Sequence, residues 1–400
     1  MSNDLKKPEA KKNDKKSQFK NVFALGFVSF FTDLSSEMVF SILPTFLLSL
    51  PGSSRAILGL IEGTAELLSY VLRTVSGIFS DKFRKRKLFI FLGYAVSNIV
   101  KPLFAVARTP FDVLVIRVTD RVGKGVRTSP RDALLYDSIS EKRRGAAFGL
   151  HRTLDQTGAI LGPIIASVLM ITLSFALRDI FWLSLIPGAV ALIVLLLFVK
   201  ERVSGSTGEF RFLAGIKSVL SGNFSRLLVV VGLFSLGAFN FSFILVNAQE
   251  AGISNPYIPL VYAAVNVAHV AVAFPAGVLS DRIGKEKVML LGYAIFLSAA
   301  LLLWLPSTSF FAFVIAIVYG AYVGIVETVQ RALVPSFVEE NLRGTAYGVY
   351  YLLVGSAFFV ANAAVGSLWD SFGASAASIY SVVFSAVAIL AMVLFIRKKS

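Results

Sequence analysis

The chain has no cysteine and two histidines among its 400 residues. The lack of thiols excludes disulfides, thiol nucleophiles and Cys-ligated metals. Two histidines fall short of a zinc site, so no metal is expected, and His269 reads as a residue that hydrogen-bonds between helices. No glycine-rich phosphate loop ends in Lys-Ser/Thr, so ATP-driven pumping has no support. Nothing points to an enzyme or to a bound cofactor. Charge is also scarce, with 16% charged residues against about 25% in soluble proteins.

What fills the chain instead is apolar. Hydrophobic residues make up 56%, including 35 Phe, and the mean hydropathy is +0.74. Twelve apolar runs fall at 21–50, 56–80, 88–107, 111–137, 145–171, 179–199, 225–250, 257–280, 287–306, 309–337, 343–370 and 375–396, numbered here as spans 1 to 12. Each is long enough to cross a hydrocarbon core of roughly 30 Å. A soluble fold could not solvate twelve such faces. A membrane barrel is excluded because the runs are continuous and do not alternate. The expected class is an all-α membrane protein with twelve transmembrane helices.

The charges that do occur give direction. Lys6, Lys7, Lys11, Lys12, Lys15, Lys16 and Lys20 crowd the stretch before span 1, and Lys82, Arg84, Lys85, Arg86 and Lys87 follow span 2. The loops after spans 4, 6 and 8 and the end Arg397-Lys398-Lys399 are also basic, whereas LSLPGSSRA, ARTP, ISNPY and LPSTS hold almost nothing basic. By the positive-inside rule both termini are cytoplasmic, in an inner or plasma membrane. The net charge of +15 is then a topology signal. A nucleic-acid partner would need a soluble basic module with interleaved aromatics, and none is present. Residues 1–19 are expected to form a disordered basic tail, and the first apolar run is too long for a cleaved signal. Residues 200–224 are a linker in which FRFLAGIKSVLSG has helical amphipathic spacing, suited to the inner leaflet. Residues 397–400 form a second short cytoplasmic tail.

The chain also repeats itself at an offset of 199–200 residues. GIFSD at 77–81 returns as GVLSD at 277–281, LGYA at 92–95 returns at 291–294, and RRGAAFG at 143–149 returns as LRGTAYG at 342–348. A whole half-chain is duplicated, so residues 20–199 and 225–396 are expected to form two six-helix bundles related by an axis along the membrane normal.

The loop after span 2 carries Gly77, Asp81, Arg84, Lys85 and Arg86, and its copy after span 8 carries Gly277, Asp281, Arg282, Gly284 and Lys285. This Gly-x-x-x-Asp with a following basic cluster resembles the signature of the major facilitator superfamily, over about residues 20–396. The resemblance implies a two-bundle transporter that works by alternating access, with this loop as a gate latch. Span 5 reads Gly158-x-x-x-Gly162-Pro163, which resembles the pattern of the family's proton-exchanging exporters. Two glycines one turn apart also give a flat face for close helix packing, and the proline bends the helix. The span-4 sequence DRVGKGVR followed by PRDAL resembles a bacterial and archaeal branch with no single substrate, and it departs from the general template with Asp120 and Arg121 where Gln and Gly are usual.

Span 4 is the unusual helix. Arg117, Asp120, Arg121, Lys124, Arg127, Arg131 and Asp132 fall within an arc of about 140° at 100° per residue. A charge at mid-membrane costs on the order of 2.5–3.5 kcal/mol, so these groups need partners. Candidates are Asp33 and Glu37 on span 1, Glu62, Glu66 and Arg73 on span 2, and His151, Arg152 and Asp155 on span 5. Two readings are open: a structural ion network, or a cavity wall that binds a charged solute and passes protons. Asp33, Glu37, Glu66 and Asp155 are the proton-coupling candidates. Arg73, Arg117, Asp120, Arg121, Lys124, Arg127 and His151 are the cavity candidates of this half. Arg131, Asp132 and Arg152 join the gate set with Gly77, Asp81, Arg84, Arg86, Gly277 and Asp281. The second half offers Asn240, Asn266, Glu327 and Arg331 to the cavity, with Asn247, Asn362, Tyr262 and many Phe around them.

The function expected is secondary transport of a small solute, anionic or zwitterionic, by a monomer driven by the proton gradient, with export favoured. Proton-coupled uptake of an organic anion or nutrient is the alternative. Export of a lipid or metal ion, or a non-transporting receptor, comes after it. The natural absence of cysteine makes the topology easy to test. Ser53→Cys and Asn255→Cys should each react with a membrane-impermeant maleimide added outside intact cells. Labelling only after the membrane is permeabilised would invert the topology.

Overall fold

The computed structural model describes residues 7–83, 85–139, 143–201, 216, 218–220, 222–305, 308–339 and 342–399, the side chains of 7–19, Ile78, Asp81, Lys82, Arg331, Lys398 and Lys399 excepted. Among these residues every regular element is a helix. Nine segments are long and apolar enough to cross a membrane: Lys20–Leu48, Arg86–Val106, Arg144–Thr172, Leu177–Phe198, Gly222–Glu250, Asn255–Ile283, Ser309–Gln330, Arg343–Phe372 and Ala374–Arg397. They are spans 1, 3, 5 to 8 and 10 to 12. Spans 2, 4 and 9 are the helices Arg55–Phe83, Pro110–Asp137 and Lys285–Leu302. The first two carry the ionisable residues noted above, and the third opens on Lys285-Glu286-Lys287. The linker read as 200–224 lies largely outside the described residues. The first helix begins at Lys7, so residues 7–19, expected to be disordered, continue span 1. Lys, Ala, Glu and Gln are good helix formers, and a preformed span removes the cost of nucleation.

The duplication is visible in the packing. Span 4 lies against spans 2 and 3, and span 1 against spans 5 and 6. Six helices later, span 10 lies against spans 8 and 9, and span 7 against spans 11 and 12. The two bundles meet through spans 2 and 11 and through spans 5 and 8, the same pair exchanged. This is the pattern expected of two pseudo-symmetric six-helix bundles.

Close approach is made by glycine. A Cβ on Gly158 would sit 2.3 Å from the Phe30 carbonyl oxygen, and one on Gly162 would sit 2.7 Å from that of Leu34, so spans 1 and 5 touch backbone to backbone. Between the bundles, Gly59 meets the Asn362 carbonyl and Gly366 meets that of Arg55. Several spans are broken, and lipid offers no hydrogen bonds to the freed backbone. The break in span 7 is satisfied from within the bundle. Asn240 Oδ1 accepts from Ser242 N at 2.9 Å, Asn362 Oδ1 accepts from Asn240 N at 2.8 Å, and the Tyr319 hydroxyl donates to Phe239 O at 2.8 Å.

At the end of the bundle opposite the termini, here the distal end, the halves are locked by ions and a helix cap. Arg55 pairs with Glu250 at 2.5 Å and with Asp370 at 3.4 Å. Asp370 also accepts from the backbone N–H of Arg55 at 3.0 Å and of Ala56 at 2.7 Å, so span 11 caps the N-terminus of span 2. Trp369 Nε1 donates to Glu250 at 3.2 Å. Ser167 Oγ donates to Pro256 O at 2.6 Å, and Asn266 Nδ2 donates to Ala159 O at 2.9 Å.

The glycine contacts carry a prediction with an internal control. Gly158→Ala should lower the thermal midpoint in detergent, since overpacking costs about 1–3 kcal/mol. Gly149, on the same helix, has nothing within 4 Å of an added Cβ, and Gly149→Ala should leave the midpoint unchanged or raise it. Equal behaviour of the two variants would refute the packing argument.

Candidate functional site

Span 4 enters the bundle with most of its charges paired or stacked. Its first turn is closed by a capping box in which Thr109 Oγ1 accepts from Asp112 N at 3.2 Å and Asp112 Oδ2 accepts from Thr109 N at 2.9 Å. One turn further in, Arg117 is fully buried and makes two bonds to Glu62, Nε to Oε1 at 3.1 Å and Nη2 to Oε2 at 2.7 Å. Its guanidinium covers the Phe40 ring at 3.8 Å. Asp120 accepts from Ser97 Oγ at 2.5 Å and lies 3.7 Å from Arg117. Arg121 reaches Glu66 at 3.4 Å. Arg127 is buried with its guanidinium 4.4 Å over Tyr94. Arg117, Asp120 and Arg127, expected on the cavity wall, are instead interior ties among spans 1 to 4. The reason is that spans 2, 3 and 4 pack face to face, so a charge on the buried face of span 4 must take its partner from the neighbouring helix or ring.

The coupling candidates converge between spans 1 and 5. The carboxyl groups of Asp33 and Asp155 meet side chain to side chain. Asp155 also accepts from Ser29 Oγ at 2.6 Å and from Arg152 Nη1 at 3.0 Å. Arg131 Nη1 lies 3.4 Å from Ser29 Oγ, and its Nη2 pairs with Asp132 at 2.9 Å. His151 is buried beside them, and its Nε2 has no hydrogen-bond partner among the described residues. From this cluster Arg152 reaches across the halves to Glu327 at 3.5 Å. Glu37, one turn from Asp33, accepts from the Tyr262 hydroxyl of span 8 at 2.6 Å. Glu37 thus bonds directly to the other half, and Asp33 is linked to it through Asp155 and Arg152.

Arg152 and Glu327 lie well inside their helices, yet their side chains are 44% and 41% exposed. Both lie in the half of their helix nearer the end that carries the termini. At that end the signature glycines face their own halves, Gly77 towards Ser129 and Gly277 towards Thr328. Of the gate residues, Arg86 bonds Ala133 O at 3.2 Å and pairs with Asp137, and Asp281 is exposed. Arg84 and the side chains of Asp81 and Arg331 lie outside the described residues. Asn240 and Asn266, expected in the cavity, serve as a helix cap and as an inter-half bond. Gly158, Gly162 and Pro163 pack in span 5.

Several elements were not singled out from sequence. Arg55, Glu250 and Asp370 sit at span ends, where a charge is ordinary. Lys101, fully buried, donates to Ser36 Oγ at 2.8 Å, Asn98 Oδ1 at 2.9 Å and Thr32 O at 3.4 Å; its one sequence signal is a lysine inside an apolar run. Tyr70, Tyr347 and Tyr351 form a stack between the halves. Among the described residues no group of three or more His, Asp or Glu side chains could hold a metal ion.

Comparison with known proteins gives this geometry a context. The Major Facilitator Superfamily model matches residues 25–246 and again 227–400, once per half. An uncharacterised MFS-type transporter of Methanocaldococcus jannaschii is 33% identical over 357 residues, 88% of each chain. The multidrug resistance protein MdtG of Proteus mirabilis is 25% identical over 290 residues, covering 69% of this chain and 71% of its own. Among solved structures, the nucleoside transporter NupG superposes with a TM-score of 0.74 at 13% identity, over 94% of this chain and 98% of its own. With both halves matched and a relative above 30% identity along most of its length, this chain belongs to the Major Facilitator Superfamily.

Proposed function

We propose that the protein is a proton-coupled exporter of the cytoplasmic membrane, exchanging a small organic solute for protons by alternating access with both termini in the cytoplasm. The observation that carries this reading is the Asp33–Asp155 contact and its link through Arg152 to Glu327 of the other half. Two carboxylates in contact repel, and one proton held between them removes the repulsion. With Asp155 ionised, Arg152 has a reason to stay and to reach Glu327. A proton arriving at the pair competes with Arg152, and the tie between the halves weakens. Proton binding and the opening of the interface thus draw on the same carboxylate, which is what coupling requires.

The groups around this switch come from every packed element. Asp33 faces Asp155, Glu37 and Lys124. Asp155 faces Arg152, Arg131, Asp33 and His151. Glu37 faces Tyr262, Lys124, Arg121 and Arg117. Export is supported by the Gly-Pro pattern of span 5, packed flush on the helix that carries Asp33, and by the relative named for multidrug resistance.

In proteoliposomes with an imposed pH gradient and a panel of labelled organic anions, cations and zwitterions, Asp33→Asn should reduce gradient-driven flux to its level without a gradient. Solute exchange should persist, and Glu37→Gln should give a milder loss. Full pH-driven transport by both Asp33→Asn and Asp155→Asn would place coupling elsewhere and sink the proposal.

The distal lock is the other moving part. Asp370→Ala removes two backbone caps and an ion pair at once, so it should shift the population towards the distally open state. Spin labels at Ser53→Cys and Asn255→Cys, on loops of opposite halves, would report this as a longer distance. An unchanged distance distribution would show that the lock is decorative.

A further inference from the structure

Four membrane-embedded cations of the first half have a carboxylate, and Lys101 is held by Ser36, Asn98 and Thr32 instead. Arg117 has Glu62, Arg121 has Glu66, Arg131 has Asp132 and Arg152 has Asp155. Arg127 has none among the described residues, but it is buried on Tyr94 inside the bundle, away from the other half. Arg73 and Lys124 are different. Both are half-buried, and neither forms an ion pair among the described residues. Arg73 Nε is buried with no acceptor among those residues. Lys124 has Arg121, Glu66, Arg73 and Asp33 as its charged neighbours, and Glu66 is already engaged by Arg121. Glu37 also neighbours Lys124, as Asp33 does, but neither Arg73 nor Lys124 is in salt-bridge contact with a carboxylate among the described residues, and an unpaired cation in such a place is costly.

The surroundings of Arg73 are aromatic. Its guanidinium lies 5.1 Å from the centroid of Tyr70. Tyr70 stacks on Tyr351 of span 11 at 5.4 Å with 13° between the planes. Tyr351 stacks on Tyr347 at 5.9 Å with 19°. One guanidinium and three parallel rings therefore form a ladder that starts in the first half and ends in the second. Rings so arranged accept a further flat ring in offset stacking, while the two cations without a salt-bridge contact at one end accept a carboxylate through charge-assisted bonds.

We propose that Arg73, Lys124 and the Tyr70–Tyr351–Tyr347 ladder form the substrate site, and that its ligand is a planar aromatic organic anion such as an aryl carboxylate. The inference rests on the transporter reading above and names its substrate class. The anionic group lies on Arg73 and Lys124, and the ring packs along the tyrosines. Because the ladder spans both halves, the bound ring contacts each of them, so its affinity depends on how the halves are placed. That dependence is what a carried solute needs in order to be released on the other side.

The test is binding, with no pH gradient, to the purified full-length chain in detergent, measured by calorimetry and by thermal shift. The probe is 2-naphthoate. Saturable binding that stabilises the protein is expected. Its saturated, non-planar analogue decahydronaphthoate should bind several-fold more weakly, and the cation 2-naphthylmethylamine should show no saturable binding. Arg73→Gln should weaken naphthoate about tenfold or more, the loss typical of a charged hydrogen bond. Lys124→Gln and Tyr351→Leu should each weaken it several-fold, and Tyr351→Leu keeps the test alive if Arg73→Gln fails to fold. Binding that does not saturate, equal binding of the amine or of the saturated acid, or full affinity in both Arg73→Gln and Tyr351→Leu would overturn the site. Asp33→Asn separates the two proposals, since it should lose pH-driven flux and still bind naphthoate. Intact coupling with no naphthoate binding would leave the exporter standing and remove this substrate class.

Discussion

A helix with seven ionisable side chains within sixteen residues cannot cross a hydrocarbon layer alone, and the first half is organised around that constraint. Each charge left without a partner would cost on the order of 2.5–3.5 kcal/mol. The doubly bonded Arg117–Glu62 pair ties span 4 to span 2 with both side chains fully enclosed. Ser97 and Asp120 tie it to span 3, and Arg121 with Glu66 adds a second link to span 2. Desolvation of such a pair consumes much of what the pairing returns, so the ties specify register more than they add stability. Span 4 can be inserted one turn out of place only by stranding several ions together.

The second half meets the same membrane with a different chemistry. Its core is aromatic, with Phe234 stacked on Tyr293 at 3.7 Å and Phe296, Tyr319 and Tyr322 packed around them. One bundle is thus held by directional ionic bonds and the other by broad ring faces. The interface between them borrows from both, with Arg152–Glu327 and Glu37–Tyr262 beside the Tyr70–Tyr351 stack.

Much of this was legible in the sequence, and the rest was not for definable reasons. The half-chain repeat foretold two pseudo-symmetric bundles, because duplicated helices bury duplicated faces. The ionic arc of span 4 was readable from helical geometry alone. Which ion pairs with which was not, since Arg117 faces Glu62 only once spans 2 and 4 are neighbours. The Asp33–Asp155 contact depends likewise on the glycine face that lets spans 1 and 5 touch. Asn240 and Asn266 looked like solute ligands because a buried amide in a membrane helix signals either function or a backbone partner, and composition cannot separate the two. The helical start at Lys7 was obscured by a lysine run that reads as disorder when its neighbours are ignored.

The cap that Asp370 places on span 2 is made to main-chain N–H groups, at Arg55 and Ala56. Every residue type except proline carries such a donor. The two partners of this lock therefore face unequal mutational exposure over evolutionary time. The donor side can drift through most of the amino-acid alphabet and still offer the same two bonds, whereas the acceptor side depends on one carboxylate on a neighbouring helix. Lineages of this protein can vary the entrance to span 2 and keep these two main-chain bonds, while the side-chain bonds of Arg55 to Glu250 and Asp370 would go with the arginine.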